Sequence, residues 1–459
     1  MSLMNDSINI SIMAAKNSDM YKGKIILAPM VRIGTLPMRL LALEFGADLV
    51  YSEELIDWKI LRSKRIFNKA LNTVDFIDET DGTVVFRTCG KESGKNILQI
   101  GTCNPERALQ AAKLMEDDIA GVDINMGCPK EFSIKGGMGA ALLSQPEKAK
   151  AILRTLTSNL KIPVTCKVRV QEDEESTIDF CKELESCGIS AIAVHGRTKH
   201  ERPQHQNRNQ LLKKISQSLS IPVIANGGSK EIEKYEDINK FKKDTGCSSV
   251  MLARAAEWNV SIFDKNGKLQ IDKIIVKYLK LAITYDNSPS NTKYCIQNML
   301  RELQETELGK KFLEAQTLQQ MSVLWSLEEF YKEMVEQQEQ NGLIGRRDVQ
   351  PVGHKKICLD SDVTAMECVF IRNLYPSDPD LPKTRLLMWT KSNGLKIPQY
   401  QTIQVDKLFR STVTVHGLRY TSTFWEKNKR WAEQGAAIVC LCSIGILDKK
   451  FLKENGVLR

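Results

Sequence analysis

The sequence predicts an α/β protein: a (β/α)8 TIM barrel, then an all-α helical domain and a small C-terminal α-β-β-β-α domain. Between Lys24 and Arg254, eight short runs rich in Val and Ile alternate with stretches of helical periodicity. After Arg254 these runs stop, and strand-like alternation returns only near the C-terminus. Near-continuous apolar runs suit parallel strands, which are buried on both faces, and eight strand–helix units fit a closed barrel.

The eight predicted strands follow one another along the first part of the chain, at 24–30, 48–54, 96–102, 121–128, 163–170, 191–197, 222–228 and 248–254. Between them, segments such as 146–160 and 176–188 place apolar residues at helical spacing. An additional hairpin is predicted around Thr83–Cys89, before the third strand. The barrel therefore covers residues 21–268 and follows an N-terminal extension, 1–20.

A different architecture is predicted for the rest of the chain. Residues 270–342 contain amphipathic helices and no convincing strand, so 269–345 is interpreted as a helical domain. Residues 346–380, which contain Pro351, Pro376 and Pro379, are interpreted as a linker. The segment 381–450 begins with the helix PKTRLLMWTKSNG, continues with three alternating strands and ends with the helix KNKRWAEQGAAIVCLCSIG.

The cysteines and the apolar runs exclude several classes of protein. The 12 cysteines are scattered without any CxxC pair, which argues against a zinc or iron–sulfur site and against a disulfide scaffold. Residues 1–20 lack the basic start and apolar stretch of a signal peptide. The longest apolar run, 436–447, is shorter than the roughly 20 residues that cross a membrane. We therefore expect a soluble, cytoplasmic protein with neither metal nor membrane partner.

The positive charge is concentrated at one end of the chain. The formal net charge is +9, and residues 381–459 contain 14 Lys and Arg against 5 Asp and Glu, which is also +9. Residues 1–380 are therefore neutral overall. A neutral body with a basic C-terminal segment predicts that a polyanion docks on that segment, although a basic solvated surface is the alternative.

Polar residues fall at the C-terminal ends of the predicted strands. In a barrel these ends meet at one face, where active sites are built, so side chains that are distant in sequence are expected to converge there. The residues concerned are Gln99, Asn125, Cys128, Lys167, Arg169, His195, Arg197, Asn226 and Arg254.

Two glycines after the seventh strand predict a phosphate site. Asn226-Gly227-Gly228 lets backbone N–H groups approach an anion, and Ala253-Arg254 after the eighth strand adds a cation. Strands seven and eight are also where phosphate sites recur in barrels. The alternative is a glycine-rich turn without a ligand.

Three other residues suggest redox or acid–base chemistry. Lys167 lies within a buried strand, where its ammonium group needs a carboxylate partner or a ligand such as an electron-rich flavin ring. His195 fits a contact to the ring or phosphate, or a hydrogen-bonded core histidine. Cys128 stands in a Gly-Cys-Pro turn and precedes Lys135 in a glycine-rich loop, so its thiol is either an acid or nucleophile or a small buried side chain.

Several motifs together carry a family resemblance. Asn125-Met126-Gly127-Cys128-Pro129 precedes Gly137-Met138-Gly139-Ala140-Ala141-Leu142-Leu143, and LAPMVRIGTLPMRLLAL (27–43), CKVRV, VHGRT, ANGG and LARAA accompany them in order. This set resembles the signature of the tRNA-dihydrouridine synthases. The resemblance covers about residues 22–340 and is specific because several motifs recur in register.

The resemblance implies FMN as prosthetic group, NADPH as reductant and hydride transfer from the flavin to C6 of a uracil in tRNA. Cys128 corresponds to the acid that protonates C5. The implied flavin contacts are Pro29, Met30, Val31, Gln99, Lys167, His195, Asn226, Gly227, Gly228, Ala253 and Arg254. The expected substrate contacts in the barrel are Asn125, Lys135, Arg169 and Arg197. The loop after VHGRT departs from the family pattern and reads KHERPQHQ.

The C-terminal segment resembles a double-stranded-RNA-binding domain, as in the animal enzymes that modify uridine 20 of the D-loop. Its last helix begins with basic side chains that would reach phosphates across the major groove. The expected RNA contacts are Lys383, Arg385, Lys427, Lys429 and Arg430. Two features depart from the pattern: Glu433 occupies a position that is usually basic, and the loop near Asp406–Leu408 is short. A protein-interaction domain of the same fold is the alternative.

Three functions compete on this sequence. The first is a monomeric tRNA uridine reductase. The second is an FMN barrel that reduces a free pyrimidine-like molecule, as dihydroorotate-type dehydrogenases do, which leaves the basic segment unexplained. The third is a catalytically inactive RNA-binding protein, against which the joint presence of Cys128, Lys167 and His195 argues.

Overall fold

The computed structural model describes residues 18–79, 82–343, 362–375, 377–405, 408–426 and 428–458. The chain forms two compact units. The first comprises the residues up to Leu61 together with Ile66–Phe76 and Val85–Leu313, and the second comprises Arg62–Arg65, Ile77–Val84 and the chain from Glu314 onward. Most of the predicted N-terminal extension, the first part of the predicted linker, Asp406 and Lys427 lie outside the described residues.

A closed parallel barrel forms the centre of the first unit. The strands before residue 260 are β1 (Ile25–Leu27), β2 (Leu49–Tyr51), β3 (Leu55–Ile56), β4 (Ser63–Asn68), β5 (Thr73–Asp78), β6 (Val84–Thr88), β7 (Asn96–Gly101), β8 (Gly121–Met126), β9 (Val164–Arg169), β10 (Ala191–His195), β11 (Val223–Asn226) and β12 (Ser249–Leu252). Eight of them pair in the order β2-β1-β12-β11-β10-β9-β8-β7, and β2 also pairs with β7, which closes the ring. Each predicted barrel strand is thereby confirmed.

Helices follow the barrel strands, as the sequence predicts. They are α1 (Leu36–Glu44), α2 (Asp57–Leu61), α3 (Pro105–Met115), α4 (Glu131–Lys135), α5 (Pro146–Asn159), α6 (Glu174–Glu185), α7 (Asn209–Ser218), α8 (Tyr235–Thr245) and α9 (Arg254–Trp258). Local sequence sets several ends. Asn104 caps α3 by accepting a hydrogen bond from the Arg107 amide, and Pro105 occupies the first turn, where no amide partner is needed. Gly246 ends α8 in the left-handed conformation.

The segment between β2 and β7 contains more strands than predicted. The sequence suggested one hairpin near Thr83–Cys89, and β6 lies there, but β4, β5 and β6 form a three-stranded sheet. β4 was not predicted because four of its six side chains are exposed. It therefore lacks the apolar run that identified the barrel strands.

Helices occupy the region after the barrel, as predicted. They are α10 (Ile271–Thr284), α11 (Pro289–Leu300), α12 (Glu307–Glu314), α13 (Leu318–Leu324) and α14 (Glu328–Gln340). The predicted single domain, 269–345, is divided between the two compact units, which separate after Leu313. The helical periodicity therefore identified the elements but not the boundary between the units.

The second unit contains the predicted α-β-β-β-α core. Its elements are β13 (Val363–Met366), α15 (Pro382–Ser392), β14 (Gln399–Val405), β15 (Leu408–Val415), β16 (Leu418–Ser422), α16 (Lys429–Ser443) and α17 (Lys449–Glu454). The sheet order is β13-β16-β15-β14. The fully buried side chains of α16, such as Ile438 and Leu441, pack with Val413 of β15 and Leu386 of α15.

The second half of the segment interpreted as a linker, 346–380, contains a strand that the sequence pattern did not indicate. Val363–Met366 is a strand that pairs in parallel with β16, and α17 follows the predicted last helix. β13 is short and none of its side chains is buried, so it carries no apolar signal. Hydrogen bonding to β16, rather than an apolar sequence pattern, therefore defines β13 as a strand.

A buried ion pair fixes the loop after β1. Arg39 is 1% exposed, and its Nη2 lies 2.6 Å from Oε1 of Glu92, which is fully buried. The same guanidinium donates to the backbone oxygens of Gly34 and Arg87. The loop that contains Met30 is thereby tied to the chain before β7.

We predict that Glu92→Gln lowers the free energy of unfolding by about 3 kcal/mol, because it leaves a buried guanidinium without its counter-charge. Urea unfolding followed by circular dichroism measures this. Asp19→Asn, which removes an exposed partner of Lys22, is the control and should change stability by less than about 1 kcal/mol. Equal small effects of both changes would contradict the assignment.

Candidate active site

Six of the polar residues predicted to converge lie on the neighbouring strands β7 to β11, namely Gln99, Asn125, Lys167, Arg169, His195 and Asn226. Alternation along the strands places them on the same side as Ile97, Ala193 and Ile224, which pack together in one apolar cluster. The structure therefore gathers them at one end of the barrel interior. Strand pairing sets Gln99 beside Asp123, Asn125 beside Lys167, Arg169 beside His195, and His195 beside Asn226.

A hydrogen-bonded carboxylate forms the lower layer of the site. Asp123 is fully buried and accepts hydrogen bonds from Gln99 Nε2 at 2.8 Å and from Thr165 Oγ1 at 2.7 Å. Burial raises the pKa of Asp123 to about 6, although Gln99, Thr165 and the Lys167 charge oppose that effect. Sequence reasoning missed Asp123. The available signal was a carboxylate inside an apolar strand, which needs partners to be stable.

The turn that carries Cys128 is fixed by Asn125. Asn125 Oδ1 accepts hydrogen bonds from the amides of Gly127 at 2.9 Å and Cys128 at 3.0 Å, while its Nδ2 donates to Gln99. Gly139 closes over this turn with a φ of 57°, and a Cβ there would lie 2.8 Å from the Cys128 oxygen. The two elements hold the half-exposed thiol at the end of β8.

Burial dominates the electrostatics of the thiol. Desolvation raises the pKa of Cys128, the neighbouring Glu54 raises it further, and Lys130 and Ser133 oppose that shift. Cys128 is therefore a protonated thiol at neutral pH. A thiol of this kind is suited to give up a proton to a strong base.

Cations surround the middle of the site. Burial lowers the pKa of Lys167 to about 8, with Arg169 acting in the same direction and Asp123 against it. Burial lowers the pKa of Arg169 to about 10. Burial also lowers the pKa of His195 well below its usual value, followed by the charges of Lys167, Arg169, Arg197 and Arg254. His195 is therefore neutral, and its Nδ1 accepts from the Arg197 amide at 3.1 Å.

A backbone cradle follows β11. Gly227 has a φ of 114°, and a Cβ at this position would lie 2.1 Å from Asn207 Oδ1, so only glycine fits. Asn226 Nδ2 donates to the Met251 oxygen and links β11 to β12. Among the described residues, the guanidinium of Arg254, at the start of α9, has no hydrogen-bond or ion-pair partner, although the charge of Glu257 acts on it. The cradle and this guanidinium are suited to an anionic group.

The charge in the site is incomplete without an anion. In the described parts of the chain, Lys167 and Arg254 have no ion-pair partner, and Arg169 donates only to the backbone oxygens of Gly127 and Thr198. Buried cations without partners are costly unless a ligand compensates them. A phosphorylated ring that gains electron density fits both the cradle and the row formed by Lys167 and Arg169.

Two predicted substrate residues are engaged elsewhere. Arg197 is 2% exposed and donates to the backbone oxygens of His205 and Gly227, so it holds the loop after β10 to the cradle. Lys135 lies on α4 and pairs with Glu131 at 2.7 Å at the protein surface. Neither side chain is directed by these contacts towards the Cys128 turn.

The remaining predicted flavin residues lie in loops at the strand ends. Pro29 and Met30 are half-buried after β1, and Val31 is 37% exposed. Ala253 caps α9 after β12 and is half-buried. The loop after His195, whose sequence differs from the family pattern, contributes Thr198, Lys199 and His200 to a cleft of about 400 Å³. Val170 and Leu143 also line this cleft.

The basic residues of the second unit differ in availability. Lys429 and Arg430 are exposed at the start of α16. Lys383 Nζ instead pairs with Glu433 and lies 4.6 Å from the centre of the Tyr400 ring. Glu433 also lies 3.9 Å from Lys429 Nζ. Arg385 is half-buried, and the predicted contact Lys427 lies outside the described residues.

Comparison with known proteins identifies both parts of the chain. The family model described as dihydrouridine synthase matches residues 26–349, and the model described as double-stranded RNA binding motif matches residues 382–444. The first match covers well over half of the chain. The chain belongs to the dihydrouridine synthase family. The predicted resemblance is thereby confirmed.

Two yeast members of the dihydrouridine synthase family show the extent of the similarity. The tRNA-dihydrouridine(20) synthase of Schizosaccharomyces pombe is 37% identical over 291 residues, which cover 61% of this chain and 60% of the relative. The protein of the same name from Saccharomyces cerevisiae is 37% identical over 299 residues, which cover 61% of this chain and 78% of the relative. This family member thus spans only part of the S. pombe protein.

A solved structure resembles the C-terminal domain of this family member. A crystal structure of a point mutant of the human tRNA-dihydrouridine(20) synthase double-stranded-RNA-binding domain is 45% identical, with 19% of this chain and 93% of that chain covered and a TM-score of 0.18. Within the described residues, no helix is long and apolar enough to cross a membrane, and no group of three His, Cys, Asp or Glu side chains could hold a metal ion.

We predict that Lys167→Met stabilises this family member in its ligand-free form. The pKa of the folded-state ammonium, about 8, lies below its value in an unfolded chain, so the charge destabilises the fold at pH 7. The substitution should raise the free energy of unfolding by about 2 kcal/mol near pH 7.

The effect has a defined pH dependence. As pH rises from about 8, the folded ammonium is already neutral while the unfolded one loses its proton, so the advantage of the variant should shrink. Urea unfolding at pH 7 and pH 10 measures both values. A variant less stable than the parent at pH 7 would show that the ammonium stabilises the empty barrel.

Proposed function

We propose that the chain is an FMN-dependent tRNA-dihydrouridine synthase that uses NADPH to reduce the C5–C6 bond of a D-loop uridine. The observation that carries the proposal is the placement of the Cys128 thiol beside a row of unpaired cations in a member of this family. The names of the yeast relatives favour position 20. The proposal includes a monomer that works in the cytoplasm.

The residues present fit a flavin mononucleotide. Arg254 and the backbone of Gly227 and Gly228 would hold its phosphate, while Lys167 and Gln99 would face the ring and Met30 would lie along it. Bound FMN, once reduced by NADPH, supplies a hydride for C6 of the uracil. The Lys167 ammonium, whose pKa is lowered by burial, would be stabilised by electron density at the ring.

Cys128 holds the proton that the reaction needs. Addition of hydride at C6 leaves negative charge on C5 and O4 of the base, and this charge requires a proton donor and nearby cations. The thiol is kept protonated by its raised pKa. Lys167 and Arg169 both interact electrostatically with Cys128, so their positive charges would also act on a base bound beside the thiol. The base would lie between the thiol and the flavin.

Binding of tRNA by the C-terminal domain would offset the free-energy cost of moving the target uridine into the barrel. A uridine inside folded tRNA must leave its stack before it can enter the barrel, which costs a few kcal/mol. Phosphate contacts from Lys429 and Arg430 would offset this cost without touching the target base. The match of residues 382–444 to an RNA-binding motif supports a polymeric substrate over a free pyrimidine.

We predict that Cys128→Ala retains flavin absorbance and tRNA binding but loses at least about 99% of dihydrouridine formation, because proton transfer by a positioned acid contributes about 100-fold or more. Mass spectrometry of dihydrouridine in tRNA after single turnover measures the loss. Cys103→Ala is the matched control, since Cys103 is also half-buried and its sulfur only accepts from Arg107 at 3.6 Å. Normal turnover by Cys128→Ala would reject the acid role.

We predict that Lys429→Ala combined with Arg430→Ala weakens tRNA binding. The slope of log affinity against log salt concentration should become shallower by the amount expected for about two lost phosphate contacts. Oxidation of NADPH without tRNA should be unchanged. Fluorescence anisotropy at several salt concentrations, together with stopped-flow absorbance of the flavin, measures both.

The control for this pair is Lys449→Ala with Lys450→Ala, which removes two exposed cations from α17. If binding depends on net charge alone, the two double variants will weaken it equally. A slower reduction of the flavin in the Lys429 and Arg430 variant would contradict the proposed separation of binding from chemistry.

A further inference from the structure

Glu54 is a buried carboxylate to which the proposed chemistry assigns no role. It lies between β2 and β3, is 9% exposed, and neither of its carboxylate oxygens accepts a hydrogen bond of normal geometry. A buried carboxylate without hydrogen bonds of normal geometry is costly to the fold. Its position in the barrel points to a role in the site.

The backbone around Glu54 is shaped to admit it. Gly101, at the end of β7, has no side chain, and a Cβ there would lie 2.6 Å from Glu54 Oε1. Strand register sets Ile100 of β7 beside Ile124 of β8, so Gly101 and the Glu54 carboxylate against it lie next to Asn125, whose Oδ1 accepts a hydrogen bond from the Cys128 amide. Burial raises the pKa of Glu54, while contacts with Cys128 and Asn125 and the charge of Lys130 oppose that shift. The carboxylate therefore faces the turn that presents the proposed acid.

The charges around the Cys128 thiol act in opposite directions. Lys130 favours the thiolate, and the thiolate in turn would be stabilised by Lys167 and Arg169. Nearby cations of this kind convert a cysteine into a thiolate nucleophile. Glu54 is the carboxylate that opposes them, and it does so from a buried position where screening by solvent is weak.

We propose that Glu54 is a positioning residue that keeps Cys128 in its thiol form against the surrounding cations, so that the sulfur carries a proton when the base needs one. The identity of the proton acceptor rests on the proposed function. The effect of Glu54 on the thiol does not, and it can be measured without tRNA.

The proton balance is simple. After hydride reaches C6, the S–H bond of Cys128 breaks, a C5–H bond forms, and the negative charge moves from the base to sulfur. The resulting thiolate lies next to the Glu54 carboxylate, so it is disfavoured and recovers its proton from water. Glu54 thereby favours both the presence of the proton and its return.

The test is the pH dependence of Cys128 alkylation by iodoacetamide in the full-length protein. The rate follows the thiolate fraction. Trypsin releases residues 114–130, in which Cys128 is the sole cysteine, so mass spectrometry separates it from the other thiols. In Glu54→Gln we expect the apparent pKa of Cys128 to fall by about one unit, which raises the rate near pH 7 by about tenfold.

Glu53→Gln is the matched control. Its carboxylate accepts a hydrogen bond from the Arg32 amide at 2.9 Å, and it should leave the Cys128 alkylation profile unchanged. An unchanged profile in Glu54→Gln, or an equal shift in both variants, would overturn the proposal. The isosteric amide should fold, since it removes a buried charge, and circular dichroism verifies this.

A second measurement separates this role from a purely structural one. The pH profile of single-turnover dihydrouridine formation should lose activity at a lower pH in Glu54→Gln than in the parent, because the thiol ionises earlier. A uniform reduction at every pH would indicate a structural effect and overturn the assignment. Absence of dihydrouridine from the parent would refute the proposed function and leave the alkylation result intact.

Discussion

The site depends on positive charge that the protein does not neutralise. Lys167 and Arg169 of β9 and Arg254 after β12 are partly buried, and the buried carboxylate of Asp123 is held by Gln99 and Thr165. In such surroundings each cation acts strongly on any ligand. The fold sustains this arrangement because the parallel ladder and the buried Arg39–Glu92 pair stabilise the barrel and its first loop independently of the site.

Sequence reasoning recovered what depends on periodicity and on strand ends. The eight barrel strands were predictable because their apolar runs are continuous, and Lys167, His195 and Asn226 were predictable because a polar residue at the end of such a run faces the catalytic rim. β4 and β13 escaped because their side chains are mostly exposed. Pairing with neighbouring strands, rather than their own composition, defines them.

Some residues cannot be interpreted from the sequence because their role depends on the side chains and backbone around them. Asp123 and Glu54 look alike in sequence, yet Asp123 accepts two side-chain hydrogen bonds of normal geometry and Glu54 accepts none of that geometry. Arg197 was expected at the substrate, but its guanidinium holds two backbone oxygens. In the second unit, Glu433 neutralises Lys383, so the basic surface is narrower than the charge count implies.

One set of cations must serve two opposing requirements. In the proposed reaction, an anionic cofactor and an electron-rich base would be bound better by strong positive charge, but the same charge would lower the pKa of a nearby thiol and remove the proton that the base needs. Burial of Cys128 and the charge of Glu54, which lies before β3 and against Gly101 of β7, both raise the pKa of the thiol. The Cys128 turn follows β8 and the phosphate cradle follows β11, so they lie on different strands of the barrel. This separation allows strong positive charge at the cradle while the Cys128 sulfur remains protonated.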